Sequence, residues 1–276
     1  MTLRLNINPA PFPGAPVLVL SAGLGGTAGY WLPQQPLERD YQLVHYDQRG
    51  TGNNPDTLPD NYDMAQMARE LHLALAQAGI TRYALLGHAL GGLMGMQLAL
   101  DYPGALSALI VINGWLSLSP RTARCFALRE AALHTQGPEG WIAAQPLFLY
   151  PPDWLAEHEA QLEAEHSLQA CHFQGEHNLL RRLQALKQAD FRPRAAEIDL
   201  PVLAIASRDD LLVPWLSSQV LHDALPRCQL EVLDWGGHAC NVTSSQAINT
   251  LIHDWLTHQH LLSPVPYPAT TATEAS

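Results

Sequence analysis

The sequence feature that most constrains the fold is the stretch Leu85-Leu86-Gly87-His88-Ala89-Leu90-Gly91-Gly92. Its apolar start is typical of a buried strand, and the glycines that follow indicate a sharp turn running directly into a helix. Gly87 and Gly91 stand two residues on either side of Ala89, where side chains would collide in so tight a turn. Enzymes present nucleophiles from the centre of such a turn, and the methyl group of Ala89 cannot act as one.

Composition limits the classes of protein to which this chain can belong. Its 276 residues are enough for one large α/β domain or two small ones, and 47% of them are hydrophobic while only 15% are charged. The net charge of −11 argues against a nucleic-acid or anionic-membrane surface, because both attract basic patches. We therefore expect a globular protein with a small-molecule substrate and with neither nucleic acid nor membrane as a partner.

The sequence also predicts a cytoplasmic protein. Residues 1–8 show no basic region followed by an apolar run, so no signal peptide is evident. Residues 84–100 carry no charge, but four glycines, His88 and Gln97 favour a buried strand–turn–helix over a membrane span. The four cysteines lie far apart without CxxC spacing, which is typical of free thiols in a reducing compartment.

Strand and helix patterns alternate along most of the chain. Helical periodicity predicts helices over 61–79, 215–225 and 244–259, and the whole of 118–195 has a helical composition. Alternating polarity predicts an edge strand, and short apolar runs predict buried ones, at 2–9, 16–21, 41–46, 85–88, 108–112, 201–206 and 229–233.

This order predicts an α/β fold with a mostly parallel central sheet flanked by helices and with an inserted helical cap. Residues 1–117 and 196–262 would form the core, and residues 118–195 the cap. Residues 263–276 are rich in Pro, Thr and Ala and are expected to be disordered.

Two polar positions follow the late strands in the order expected of α/β-hydrolases. Ser207-Arg-Asp-Asp-Leu-Leu-Val-Pro214 resembles the acid loop of that fold, with Asp210 as the matching carboxylate and Asp209 as the second choice. Asp234-Trp-Gly-Gly-His238 resembles the histidine loop, so His238 is the predicted base. The Gly87–Gly91 frame, the acid and the histidine occur in the chain order of the α/β-hydrolase fold.

The backbone supplies the remaining parts of the predicted site. Gly23-Leu24-Gly25-Gly26 matches the loop that lends an N–H group to an oxyanion hole, so the Leu24 and Leu90 amides are the predicted donors. Gly23 and Trp115 are candidate pocket residues, and His88 either lines the pocket or packs in the core. Cys240 lies on the wrong loop for a nucleophile, and His166, His172 and His177 have the pattern of a solvated face, so no metal site is predicted.

An Asp210–His238 pair without a serine nucleophile predicts non-covalent chemistry. The covalent acyl-enzyme route is lost at Ala89, but His238 held by Asp210 can act as a general base on water, which contributes about 10²–10⁴-fold. Such a site suits a small molecule that already decays readily, with a water in place of the missing hydroxyl. Asp47-x-Arg49-Gly50 is interpreted as a structural turn with a salt bridge.

Seven stretches across about residues 14–260 resemble the pyrimidine-utilisation protein D family of α/β-hydrolases, which belongs to bacterial uracil degradation. They are Gly87-His88-Ala89-Leu90-Gly91, 94–103, Asn113-Gly-Trp115, 144–150, 172–175, 178–183 and 236–243. The resemblance implies a weak, cofactor-free hydrolase acting on a C–N bond of a labile carbamate or aminoacrylate. It also implies that an alanine at position 89 is a family trait.

The sequence leaves alternatives for the cap arginines and for the function. Arg181 or Arg182 would suit a small carboxylate or carbamate if it faces the pocket, and otherwise each ends on a solvent-facing helix. The alternative function is a non-catalytic binding protein with a vestigial dyad, and no feature singles out a lyase or dioxygenase. A homodimer is the expected assembly.

Overall fold

Seven strands form one sheet in the computed structural model, which describes residues 3–259. Their bounds are Asn6–Ile7 (β1), Val17–Ser21 (β2), Gln42–His45 (β3), Tyr83–His88 (β4), Leu106–Ile112 (β5), Val202–Ser207 (β6) and Cys228–Leu233 (β7). The strand order is β1-β3-β2-β4-β5-β6-β7, with β1 antiparallel to β3 and every other neighbouring pair parallel. The predicted mostly parallel sheet is confirmed.

The central strands are buried on both faces, as their continuous apolar sequences predict. Val19 of β2 and Leu85 of β4 point to one side of the sheet, and Leu18 and Leu86 point to the other. The sheet therefore needs a helical layer on each face. The core helices are Met64–Gln77 (α1), Leu90–Asp101 (α2) and, after the insertion described next, Trp215–Ala224 (α7), Cys240–Thr243 (α8) and Ser245–His258 (α9).

Four helices between β5 and β6 form the helical insertion. They are Pro120–Leu149 (α3), Pro152–Glu157 (α4), Glu159–Cys171 (α5) and Glu176–Gln188 (α6). Gly137, with φ 68° and ψ −157°, interrupts α3, so that two helical pieces follow each other across a kink. The helical content of 118–195 agrees with the prediction, and the division into core and cap stays a prediction.

The structure differs from the sequence prediction at several element ends. The expected strand at 2–9 pairs only at Asn6–Ile7, and the predicted helix at 61–79 begins at Met64, where the Asp63 side chain accepts a hydrogen bond from the Gln66 amide at 2.8 Å. A 3₁₀ segment at Ala28–Arg39, which contains two prolines, had no predicted counterpart. The expectation for 263–276 lies outside the described residues.

No helix within residues 3–259 is both long enough and apolar enough to cross a membrane. The one stretch that could suggest a span, residues 84–100, is divided between β4 and α2 by the turn at Ala89. It lies in the centre of the fold, where its apolar side chains pack against both neighbouring strands and α1.

The turn between β4 and α2 leaves no space for side chains at its two glycines. A Cβ atom on Gly87 would lie 2.4 Å from the backbone of Gly91, and one on Gly91 would lie 2.0 Å from the Ser21 carbonyl oxygen. Both obstacles are backbone atoms, which cannot rotate away as a side chain could. The steric reason for this frame, inferred from the sequence, therefore holds in the structure.

We expect Gly91→Ala to lower the free energy of unfolding by about 3–5 kcal/mol, because the methyl group would push α2 off the end of β2. Urea denaturation monitored by circular dichroism measures the change. Gly29→Ala is the matched control, since a Cβ there meets nothing within 4 Å. Equal stability of the two variants would contradict this account of the turn.

Candidate active site

Ala89 lies at the apex of the turn in a backbone conformation that L-residues rarely adopt. Its φ is 46° and its ψ is −108°, and its side chain is buried. Such a conformation costs on the order of 1–3 kcal/mol and persists only where the surrounding structure imposes it. The chain therefore retains the strained geometry of a nucleophile-presenting turn although it presents a methyl group.

Asp210 and His238 meet in the interior at the carboxyl end of the sheet. Asp210 Oδ2 lies 2.7 Å from His238 Nδ1, and the two side chains are 0% and 3% exposed. The second oxygen of Asp210 accepts hydrogen bonds from the Leu212 and Val213 amides, both at 2.8 Å. When the imidazole is neutral and Nδ1 donates to the carboxylate, Nε2 is the acceptor nitrogen, and this atom makes no hydrogen bond within residues 3–259.

Asp209 has a different task from Asp210. Its carboxylate accepts hydrogen bonds from the Gly237 amide at 2.9 Å and the Gly236 amide at 3.2 Å. Gly236 and Gly237 have φ values of 141° and 68°, a conformation that glycine adopts readily. Asp209 thereby fixes the histidine loop, residues 234–239, while its neighbour holds the imidazole.

The carbonyl oxygen of His238 is held by two further side chains. Asn113 Nδ2 donates to it at 2.6 Å, and His88 Nε2 lies 2.8 Å from it. Asn113 follows β5 with a positive φ of 51°, which the sequence indicated only as part of the Asn113-Gly-Trp115 motif. The role of this residue was not predicted, because only the fold brings the end of β5 beside the histidine loop.

His88 is a buried neutral side chain rather than an open pocket residue. Because a carbonyl can only accept, His88 Nε2 carries the proton and Nδ1 is unprotonated. Nδ1 has no partner within residues 3–259 and faces Gly23, where a Cβ atom would lie 2.9 Å away. Burial, followed by the nearby His238, lowers the pKa of His88 well below its usual value.

Leu24 and Leu90, the predicted oxyanion donors, lie in a loop and at a helix start. Leu90 is the first residue of α2, and Leu24 belongs to the loop at 22–27 that follows β2. Neither amide donates to another group within residues 3–259. Two side chains hold that loop in place. Gln48 Nε2 donates to the Ala22 carbonyl at 2.8 Å, and Thr51 Oγ1 donates to the Gly26 carbonyl at 3.0 Å.

The two predicted cap arginines face opposite ways. Arg181 lies at the surface, where it forms a salt bridge with Asp60 at 2.7 Å. Arg182 is fully buried and donates to Gln174 and to the carbonyl oxygens of Leu24, at 3.4 Å, and Arg49. Arg182 therefore ties α6 to the predicted oxyanion loop, and its contacts are with the protein itself.

The insertion also covers the histidine loop directly. The Ala239 amide donates to the Leu149 carbonyl at 2.9 Å, and a Cβ on Gly237 would lie 2.7 Å from the same oxygen. Trp115, another predicted pocket residue, is 2% exposed, and its Nε1 has no partner within residues 3–259. The end of α3 thus packs directly against the histidine loop.

Two other titratable side chains near the site, Cys240 and Arg49, have surroundings that are typical of structural residues. Burial raises the pKa of the Cys240 thiol to about 12, and Asn113 Nδ2 lies 3.7 Å from its sulfur. Arg49 pairs with Glu70 at 2.7 Å, in agreement with the interpretation of that turn. Residues 3–259 contain no group of three or more His, Cys, Asp or Glu side chains that could hold a metal ion.

Comparison with known proteins identifies similar chains. A family model described as "alpha/beta hydrolase fold" matches residues 16–137. A protein named "Putative carbamate hydrolase RutD" from Cronobacter sakazakii is 58% identical over 269 residues, which are 97% of this chain and 99% of that protein. A protein of the same name from Klebsiella pneumoniae strain 342 is 60% identical over 255 residues, 92% of this chain and 96% of that one.

Solved structures share the fold at lower identity. A hydrolase from Pseudomonas aeruginosa superposes with a TM-score of 0.80 at 26% identity and covers 92% of both chains. The enol-lactonase from Burkholderia xenovorans superposes with a TM-score of 0.82 at 23% identity, covering 92% of this chain and 96% of that one.

We expect the buried neutral His88 to make the protein acid-sensitive. Because its pKa is depressed in the fold, the unfolded chain binds the extra proton, so stability falls as the pH drops below about 6.5. The amide of His88→Gln can still donate to the His238 carbonyl. This variant should lower the slope of the free energy of unfolding against pH by up to about 1.4 kcal/mol per pH unit. Urea denaturation at several pH values between about 5 and 7.5 measures it.

The exposed His172 provides the control for that measurement. His172→Gln should keep the wild-type slope, because the ring lies at the surface of the insertion. If both variants show the wild-type slope, His88 is not the group whose burial couples folding to pH.

Proposed function

Because this chain belongs to the RutD family of α/β-hydrolases, we propose that it hydrolyses a small, labile C–N compound in bacterial pyrimidine degradation. The substrate in this proposal is carbamate or aminoacrylate, and the compartment is the cytoplasm. The observation that carries it is the buried Asp210–His238 pair, 2.7 Å apart, beside a turn whose apex holds Ala89. The pair supplies a base and the turn supplies no nucleophile, so water is the attacking species.

In the proposed mechanism, His238 removes a proton from water. Its Nδ1–H donates to Asp210, which fixes the tautomer and leaves Nε2 free to accept. The carboxylate also stabilises the imidazolium that forms. Since Asp210 is held by the Leu212 and Val213 amides, the imidazole needs little reorganisation when the proton moves.

The amides of Leu24 and Leu90 are the proposed electrophilic partners. As the hydroxide adds, negative charge develops on the substrate, and a helix N-terminus such as that of α2 favours negative charge. Oxyanion donors are worth about 2.7–4 kcal/mol each when one is removed from an enzyme. These donors are backbone groups, so the loss of serine at position 89 does not remove them.

His238 then returns the proton to the leaving amine. Carbamate and water would give ammonia and bicarbonate, whereas aminoacrylate and water would give ammonia and the corresponding aldehyde acid. Both compounds have low intrinsic barriers, so general-base catalysis of about 10²–10⁴-fold is sufficient to be useful. A stable ester or amide would need the covalent route that Ala89 excludes.

The competing hypothesis is a binding protein with a vestigial dyad. The site lowers the stability of the fold, and this favours an enzyme, in which such a site has a use. Asp210 and His238 take two ionisable side chains out of water, and Ala89 keeps a strained backbone. In a binding protein, apolar residues at positions 210 and 238 and a glycine at position 89 would remove both costs. The rate of ammonia release from freshly generated substrate, compared with the blank, decides between the two.

We expect His238→Ala to reduce the enzyme-dependent rate of ammonia release by about 100-fold or more, since the base is lost. A coupled ammonia assay on freshly generated carbamate and aminoacrylate, with the spontaneous rate subtracted, measures the change. His172→Ala, at an exposed position of the insertion, should retain the wild-type rate. Equal rates for wild type and His238→Ala would refute the base assignment.

We expect Ala89→Ser to restore a covalent step on an activated ester, because the hydroxyl would stand at a strained apex beside a free imidazole nitrogen. With p-nitrophenyl acetate, the variant should release a burst of about one equivalent of p-nitrophenol, and the wild type should release none. Mass spectrometry should detect the acetylated protein. Ala89→Ser combined with His238→Ala is the control and should show no burst.

A further inference from the structure

Arg129 is a buried cation for which residues 3–259 provide no carboxylate. It lies in α3, its side chain is 3% exposed, and it takes part in no salt bridge within the described chain. Its one hydrogen bond runs from Nη2 to the Gln145 side-chain oxygen at 2.9 Å, and Nε has no partner. A guanidinium presents five N–H donors, so most of them are unused.

Several other arginines of the insertion and its surroundings have partners. Arg181 pairs with Asp60, Arg192 with Asp190 and Arg194 with Glu197. Arg182 is as deeply buried as Arg129, but its charge is solvated by backbone carbonyl oxygens and by Gln174. Burying a charge without such compensation is expensive, which sets Arg129 apart.

Aromatic rings offset part of the cost and hold the side chain in place. The Arg129 guanidinium carbon lies 3.9 Å from the Trp141 ring centroid and 6.0 Å from that of Phe148. Stacking on one face leaves the edge of the guanidinium, where the N–H groups point, available for a ligand. Burial lowers the pKa of Arg129 to about 9, which shows how strongly these surroundings disfavour an unpaired charge.

The position of Arg129 connects it to both loops of the proposed site. Cys125, one helical turn earlier, places its sulfur 3.7 Å from the Leu211 carbonyl, next to Asp210. Phe148 immediately precedes Leu149, whose carbonyl accepts from the Ala239 amide, next to His238. Arg129 therefore lies one helical turn from the contact between α3 and the acid loop, and the ring of Phe148 beside it directly precedes the residue that binds the histidine loop.

We propose that Arg129 is the anion-binding residue of this site and that its missing partner is the carboxylate of a small substrate anion. This inference rests on the proposed function, whose candidate substrates both carry a carboxylate. A planar guanidinium can bind both oxygens of such a group through parallel N–H bonds, which orients the ligand as well as holding it. The sequence pointed instead to Arg181 or Arg182, which lie in one predicted helical stretch of the cap and have the charge and fork geometry for a small carboxylate.

Binding of acetate, acrylate and bicarbonate to the purified protein tests the proposal without any turnover. Trp141, which lies under the guanidinium, provides a fluorescence signal, and thermal unfolding provides a second readout. Chloride at equal ionic strength is the reference. We expect the carboxylate anions to raise the melting temperature and change the fluorescence, and Arg129→Met to weaken binding by about 10- to 100-fold.

Matched variants separate an anion site from a structural role. Arg124→Met removes the same charge from an exposed position of the same helix and should bind like the wild type. Arg129→Lys keeps the charge but loses the fork, so it should bind with intermediate affinity, and it serves as the test variant if Arg129→Met does not fold. Unchanged affinity in both Arg129 variants, or no response of the wild type, overturns the proposal.

The same measurements distinguish this inference from the proposed function. His238→Ala should still bind acetate, because Arg129 is intact. Anion binding without ammonia release would leave the anion site standing and remove the hydrolase proposal. If Arg129→Met still releases ammonia with an unchanged KM, the hydrolase proposal stands and the anion site is refuted.

Discussion

The structure depends on one close backbone approach, where the start of α2 touches the end of β2. Gly91 comes so near to the Ser21 carbonyl that no side chain fits, and Gly87 meets Gly91 across the turn. This contact fixes the direction of α2, the position of the Leu90 amide and the strained conformation of Ala89. The loop after β2, which contains Leu24, begins at the same point. Both predicted oxyanion donors are therefore placed by one packing constraint that involves no catalytic side chain.

A second set of interactions fixes the histidine loop from three directions. Asp209 holds its glycine amides, Asn113 and His88 hold the His238 carbonyl, and Leu149 of the insertion holds the Ala239 amide. Asp210 then needs only to orient the ring. The acid loop contains two adjacent aspartates with separate contacts, because one carboxylate cannot bind both the imidazole and the glycine turn. Asp210 binds the imidazole, and Asp209 binds the amides of the glycine turn. The arrangement is preorganised in the way that general-base catalysis requires.

The insertion places its arginines in very different environments. Arg181 forms a surface salt bridge, and the buried Arg182 donates to backbone carbonyl oxygens. Arg129 is buried with no carboxylate partner in the part of the chain that the structure describes. Helical periodicity could place all three on helices, but it could not separate them. Which face of a helix is buried depends on the surface that packs against it, and Arg129 is covered by Trp141, Gln145 and Phe148, which follow the Gly137 kink in α3.

The sequence by itself determined the fold class, the parallel sheet, the sharp turn at Ala89 and the pairing of an acid loop with a histidine loop. Each of these follows from local signals, since apolar runs, glycine spacing and residue order are visible without coordinates. Only the tertiary structure gave Asp209 its own role at the glycine amides, assigned Asn113 and His88 to the His238 carbonyl, and left Arg129 with no carboxylate partner among residues 3–259. Those outcomes are set by contacts between elements far apart in the chain. Charge pairing and burial are properties of that assembled packing, and no short stretch of sequence encodes them.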